Sequence, residues 1–170
     1  SGGDGDEFYE LVLKKIIDES PWREDSSKAI LLIADAAPHE IGYTYRDYVV
    51  GNQIDWRIEA KKAADMKIKI DTVSICGRPW YKELSAMTNG ITVPFKSSGK
   101  TGTMIETATT ARSAMAFAES ASGCEDASTR AYCKERIHGL RGKLSQMFSA
   151  CDDTEMKDVR DSYTKEIDKA

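Results

Sequence analysis

Few residues in this 170-residue chain have the type and spacing that chemistry requires, and they can be weighed one at a time. Asp35 closes the apolar run Ala29–Ala34. In an open α/β sheet, ligands bind in the crevice outside the carboxyl ends of the strands. Two readings of Asp35 follow: a ligand to a metal or a partner, or a carboxylate that caps the next turn. Asp4, Asp6 and Glu7 precede a helical pattern, where carboxylates stabilise the positive end of the helix dipole by ~0.3–1 kcal/mol each. His39 follows Pro38 with no Ser or Cys nucleophile in a recognisable setting, which makes it an orienting group for a loop rather than a catalyst, and a candidate for contact with a partner. Ser98-Gly-Lys-Thr101 matches the tail of a phosphate-binding loop, but Pro94 stands where the first Gly of that loop belongs. Tyr43, Tyr45 and Tyr48 crowd one loop, where they either contact a protein partner or cover the rim of a sheet.

The charge balance narrows the partners. The chain is 41% hydrophobic and 31% charged, with a formal net charge of −4. That suits a globular chain with its own core. It lacks the basic footprint that duplex nucleic acid or an anionic membrane surface would need, so neither is expected as a partner. No apolar run approaches the ~18 residues of a membrane span. The chain opens on Ser-Gly-Gly-Asp, without the basic and apolar regions of a secretory leader. None of the four cysteines sits in a Cys-x-x-Cys pair, and there are only two histidines, which argues against a structural zinc. Cys124 and Cys133 would stand ~13 Å apart on one helix, too far for a disulfide. All four cysteines are expected reduced, which points to a cytoplasmic setting.

The elements that must position these residues come in two styles. Up to about residue 96, helical and strand patterns alternate. Phe8, Leu11, Val12 and Ile16 recur at helical spacing, and Pro21 ends that helix. The unbroken run Ala29–Ala34 suits a strand covered on both faces, as in a parallel sheet. A loop rich in Gly and Tyr spans Glu40 to Asn52, then Ile54, Trp56, Ile58, Ala60, Ala63 and Ala64 mark a second helix. Ile68, Ile70, Val73 and Ile75 mark a second strand, Trp80, Leu84 and Met87 a short third helix, and Ile91–Phe95 a third strand. This alternation predicts an α/β fold with right-handed crossovers and a Rossmann-like parallel sheet flanked by helices on both faces. The strands are expected over 29–35, 68–75 and 90–95.

Read in order, a set of phrases resembles a von Willebrand factor A (vWA) domain. They are Gly2-Gly-Asp-Gly-Asp-Glu7, Trp22-Arg23, Ala34-Asp-Ala-Ala-Pro-His39, Asp47-Tyr48, Asp55-Trp56, Asp71-Thr-Val-Ser-Ile-Cys76 and Tyr81–Gly90. Met104–Ala121 would be the family's last helix. The style is that of intracellular vWA domains, including those attached to alpha-kinases. The resemblance covers the second half of the family fold. The family's Asp-x-Ser-x-Ser loop, which supplies the first ligands of its metal-ion-dependent adhesion site, is not in this chain. By resemblance, Asp35 and Asp4 fall near metal positions. Two carboxylates hold Mg²⁺ poorly, because hard cations need several oxygen ligands, so Mg²⁺ is expected only if another chain supplies the missing loop.

The resemblance has a further consequence. The family strand equivalent to Ala29–Ala34 lies beside the first strand, which this chain lacks. Ile30, Leu31, Leu32 and Ile33 would then offer an unpaired edge, and such edges recruit other chains. Another polypeptide, a second copy, or the C-terminal helices would cover it. Those helices carry two patterns: Cys133, Ile137, Leu140, Leu144, Met147 and Cys151, then Met156, Val159, Tyr163 and Ile167. They read as an αα-hairpin over 122–170, appended to an α/β domain over 1–121, with Ser122 and Glu125 forming a capping box. The function expected is a non-enzymatic protein-binding or scaffold module that binds a protein partner or itself. The alternative is a nucleotide- or metal-dependent enzyme on a doubly wound sheet.

Overall fold

The structure is a computed structural model that describes residues 5–45, 48–49, 52–95, 100–151, 154 and 156–170, with the backbone alone at 45, 48 and 49. The chain divides into two compact units, residues 1–92 and 93–170.

The first unit is mixed α/β. A two-residue strand, β1 (Asp6–Glu7), leads into helix α1 (Tyr9–Glu19). The helix stops at Ser20, ahead of Pro21, and the Trp22 indole N–H then donates to the carbonyls of Ile16 and Ile17, satisfying part of the open helix end. Its buried face is not the expected one. Glu10, Leu13 and Ile17 are buried, whereas Phe8, Leu11 and Val12 are exposed. Both stripes run at helical spacing, so periodicity alone does not choose between them.

Strand β2 (Lys28–Ala34) follows, and its continuation β3 (Ala37–Pro38) pairs in parallel with β1. The Tyr-rich loop contains an unexpected antiparallel ribbon, β4 (Thr44–Tyr45) with β5 (Tyr48–Val49). Helix α2 (Trp56–Asp65) starts at Asp55, whose carboxylate accepts the Arg57 N–H at 2.9 Å. An Asp at this position satisfies one of the orphan amides of the first turn.

Strand β6 (Ile68–Ser74), helix α3 (Trp80–Met87) and strand β7 (Thr92–Pro94) complete the alternation. β2 and β6 pair in parallel over their full length, Lys28 opposite Ile68 through Ala34 opposite Ser74. The sheet order is β2-β6-β7. The three strands thus lie within a residue or two of their expected ranges. Ala34, Ile68 and Ile70, with half-buried Ile30 and Leu32, turn into one core with residues of α1, α2 and α3. Trp56, Trp80 and Tyr81 fill its centre.

The second unit is helical: α4 (Thr101–Gly123), α5 (Ala127–Ala150) and α6 (Lys157–Ile167). The two C-terminal helices both pack on α4, and they touch one another through Phe148 and Tyr163, whose ring centroids are 5.9 Å apart. The buried face of α4 is mostly Ala, with Ala108, Ala111, Ala114, Ala118 and Ala121, which allows close approach on two sides. Along α5, Cys133, Ile137, Leu144 and Phe148 are buried, so the face follows the 3.6-residue turn and Phe148 takes the place expected for Met147. Ser122 is not a cap. It lies inside α4 and donates to Ala118 O, and the cap of α5 is Asp126, which accepts the Thr129 N–H at 2.7 Å. The Ser128 hydroxyl and the Thr129 groups hold the Asp126 carboxyl below the usual carboxylate range.

All four cysteines are free thiols. Among the described residues, no helix is long and apolar enough to cross a membrane.

Candidate functional site

The exposed edge of β2 is the first feature that could do work. Ala34 O accepts the Ile75 N–H at 3.2 Å, so Ala34 turns its main chain toward β6. Strand geometry alternates, so Leu31 and Ile33 turn their N–H and C=O groups to the opposite edge. Among the described residues, no strand pairs with that edge. The side chains of the same two residues are also uncovered, Leu31 at 40% and Ile33 at 53% exposure. The expectation of a strand covered on both faces is therefore not met at β2. Its outer-face side chains stand open, because helices α1, α2 and α3 share the core on its other side.

The carboxyl-end crevice is the second. Asp35 is exposed and accepts the Tyr9 hydroxyl at 3.2 Å. Burial, joined by this contact with Asp35, pushes the Tyr9 phenol above its usual range. One residue on, Ala36 O accepts both the Trp80 indole N–H (3.0 Å) and the Tyr81 hydroxyl (2.7 Å). Burial, then the Cys76 thiol, pushes the Tyr81 phenol up as well. This crossing of aromatic donors fixes the loop after β2 and presents Asp35 outward. Asp6 is held by Arg78 at 3.4 Å. Asp4 lies outside the described residues. Among those described, no group of three or more His, Cys, Asp or Glu side chains comes together to hold a metal ion, so Asp35 alone does not make a cation site.

The third feature is a cavity of about 400 Å³ between the start of α1 and the loop that follows β3. His39 is on its wall, buried, with its main-chain N–H donating to Glu10 Oε2 (3.1 Å) and its Nδ1 3.3 Å from Glu10 Oε1. Its ring lies edge-on to Phe8 at 4.4 Å and against Tyr43 at 4.0 Å. These contacts tie the loop after β3 to the first turn of α1. Gln53 closes the same loop, accepting the Gly42 N–H (2.7 Å) and donating to Tyr43 O (2.8 Å). Glu40, beside it, accepts from the Trp56 indole (3.0 Å) and from Arg57 (2.8 Å). Burial works against the Glu40 charge, but these two donors hold its carboxyl below the usual range. Glu83 and Glu40 in turn raise Arg57.

Of the tyrosines singled out in the loop, Tyr43 belongs to this cavity, while Tyr45 and Tyr48 face one another across the β4–β5 ribbon with side chains outside the described residues. In the partial phosphate-loop match, Ser98 and Gly99 also lie outside them, and Thr101 opens α4. Sequence reasoning missed Glu10, Phe8 and Leu11 as site residues. Glu10 is the only charged residue on the buried face of α1, and that oddity was the available signal.

Comparison with protein-family models, with curated proteins and with solved structures gives no match to the chain.

Proposed function

We propose that this chain is a non-enzymatic protein-binding module, the second half of a vWA-like domain, whose sheet is completed at β2 by a strand of another polypeptide. The observation that supports this reading is the state of β2: a seven-residue strand, apolar from Ala29 to Ala34, paired on one edge only among the described residues, with Leu31 and Ile33 uncovered. Parallel sheets are normally buried on both faces, and a long apolar edge strand left open is a template for pairing with another chain. An added strand would pair its main chain with Leu31 and Ile33 and bring apolar side chains over their exposed face, drawing affinity from the ladder and specificity from the side chains. Asp35, at the carboxyl end of β2, would then contribute one ligand to a Mg²⁺ site whose remaining oxygens come with the partner.

The experiment is sedimentation of the purified chain together with hydrogen exchange at Leu31 and Ile33. Association with slow exchange at those two amides is expected. A monomer whose Leu31 and Ile33 amides exchange fast in every mixture with cell extract overturns the reading. For the metal, calorimetry on the chain alone should give weak heats with Mg²⁺. A micromolar site that disappears in Asp35→Ala would show that the site is complete without a partner.

A further inference from the structure

We propose that the cavity at the start of α1 is a binding site for an alkylammonium group, either a lysine side chain or a free amine. The argument is one of charge accounting in a walled space. Three ordinary charged side chains line the cavity: Glu10, Lys14 and Glu40. Lys14 is committed to carboxylates, with Asp18 at 2.8 Å and Glu59 at 3.8 Å. Glu40 is committed to Arg57 at 2.8 Å. Glu10 has no Lys or Arg within ion-pair distance among the described residues, and it meets only the main-chain N–H and the imidazole of His39 there. It is 4% exposed, so its carboxylate is almost wholly removed from water.

A buried carboxylate is stabilised by a hydrogen-bonded cation, and it discriminates against anions and against neutral isosteres. The rest of the wall suits such a ligand. Phe8, Leu11, Tyr43 and Ile54 give an apolar and aromatic lining for a methylene stem and for the face of a cation. Phe8 and Leu11 are exposed, which opens the cavity along α1. The Gln53 amide ties the opposite loop at two points, so the walls are set before a ligand arrives. A volume of about 400 Å³ is within the range of small-ligand sites. This site is separate from β2, and it stands or falls independently of strand addition.

The test is titration of the full chain, followed by amide chemical shifts, with n-butylammonium, n-butanol, butyrate and a capped pentapeptide carrying one central lysine among glycines. Shifts at Glu10, His39 and Gln53 with n-butylammonium, and none with butyrate or n-butanol, are expected. Binding of the peptide as well identifies a lysine side chain as the source, and binding of the free amine alone identifies a small molecule. Glu10→Gln should weaken n-butylammonium by about tenfold. Phe8→Ala, at an exposed position and with the fold checked by circular dichroism, should weaken it by about threefold. Equal binding of n-butanol and n-butylammonium, no saturable shift with either amine, or an unchanged affinity in Phe8→Ala would each overturn the assignment.

Discussion

β2 and β6 are strands of equal length paired residue for residue, yet the more apolar of the two is the less buried. β2 reads Lys-Ala-Ile-Leu-Leu-Ile-Ala, and β6 reads Ile-Lys-Ile-Asp-Thr-Val-Ser. Ile33 is 53% exposed and its register partner Val73 is 0% exposed. Composition therefore does not decide burial here. Place in the sheet does: β6 is flanked by β2 on one edge and by Ile91 and β7 on the other, while β2 is an edge strand. β6 carries its polar residues inside because each finds a partner. Asp71 accepts the Ile91 N–H (2.9 Å), the Thr72 hydroxyl reaches Ser85 (3.1 Å) and Thr92 (3.0 Å), and Ser74 accepts the Gly77 N–H (2.9 Å). An inner strand can hold polar side chains if they are satisfied. An edge strand with six consecutive apolar residues, from Ala29 to Ala34, has chemistry suited to a position it does not occupy within this chain.

The comparison breaks most visibly at Val73. Val73→Lys places an ammonium in a fully enclosed position, and the expected cost of ~4 kcal/mol or more should leave little folded protein by circular dichroism. Gly90→Ala follows closely, because a Cβ there would stand 1.9 Å from Ile70 O and the loop cannot approach β6. A loss of about 3–4 kcal/mol in urea unfolding is expected. Asp71→Ala strands the Ile91 N–H in a buried position and should cost about 2 kcal/mol by the same measurement. Ile33→Lys is the counterpart of Val73→Lys on the paired strand. It should change unfolding by less than about 0.5 kcal/mol while abolishing any association seen in sedimentation. A large loss of stability from Ile33→Lys would mean that the outer face of β2 is covered in solution by the chain itself.

How much of this was legible in the sequence depends on the range of the interactions involved. The three sheet strands were legible because Ile, Leu and Val runs between breakers are a local signal. The end of α3 was too: Asn89 adopts φ 53° and Gly90 touches the Ile70 carbonyl, and the Asn-Gly pair announces both. The face of α1 was misread because Phe8-Leu11-Val12 and Glu10-Leu13-Ile17 are both helical stripes, and only the fold shows that Glu10 turns in to meet His39, 29 residues away. The cavity rests on that distant pair, on rings of Phe8 and Tyr43, and on a Gln53 bridge, none of which leaves a local pattern. The β4–β5 ribbon carries no Asn-Gly or Asp-Gly turn, which is why Tyr45 and Tyr48 read as plain loop. Asp35 was placed at the end of its strand by sequence, but its Tyr9 partner was not, since that contact spans 26 residues.

Between Lys28 and Asp35 the edge strand reads Ala-Ile-Leu-Leu-Ile-Ala, the same from either end. On the open face only alternate residues show, Ala29, Leu31 and Ile33, and their differences in size give an arriving chain a weak sense of direction. The stronger cue is the pair of charges at the two ends of the run. An incoming strand that begins acidic and ends basic is drawn in parallel, its charges opposite Lys28 and Asp35 in turn. A second copy of this chain carries the same order of charges, and the same attraction turns it round to lie antiparallel. Exchanging the two residues, Lys28→Asp with Asp35→Lys, leaves a self-pair unchanged and inverts the preference for a foreign strand. In the proposed assembly, Lys28 and Asp35 would set the direction of the added strand, and the apolar run between them would supply the contact.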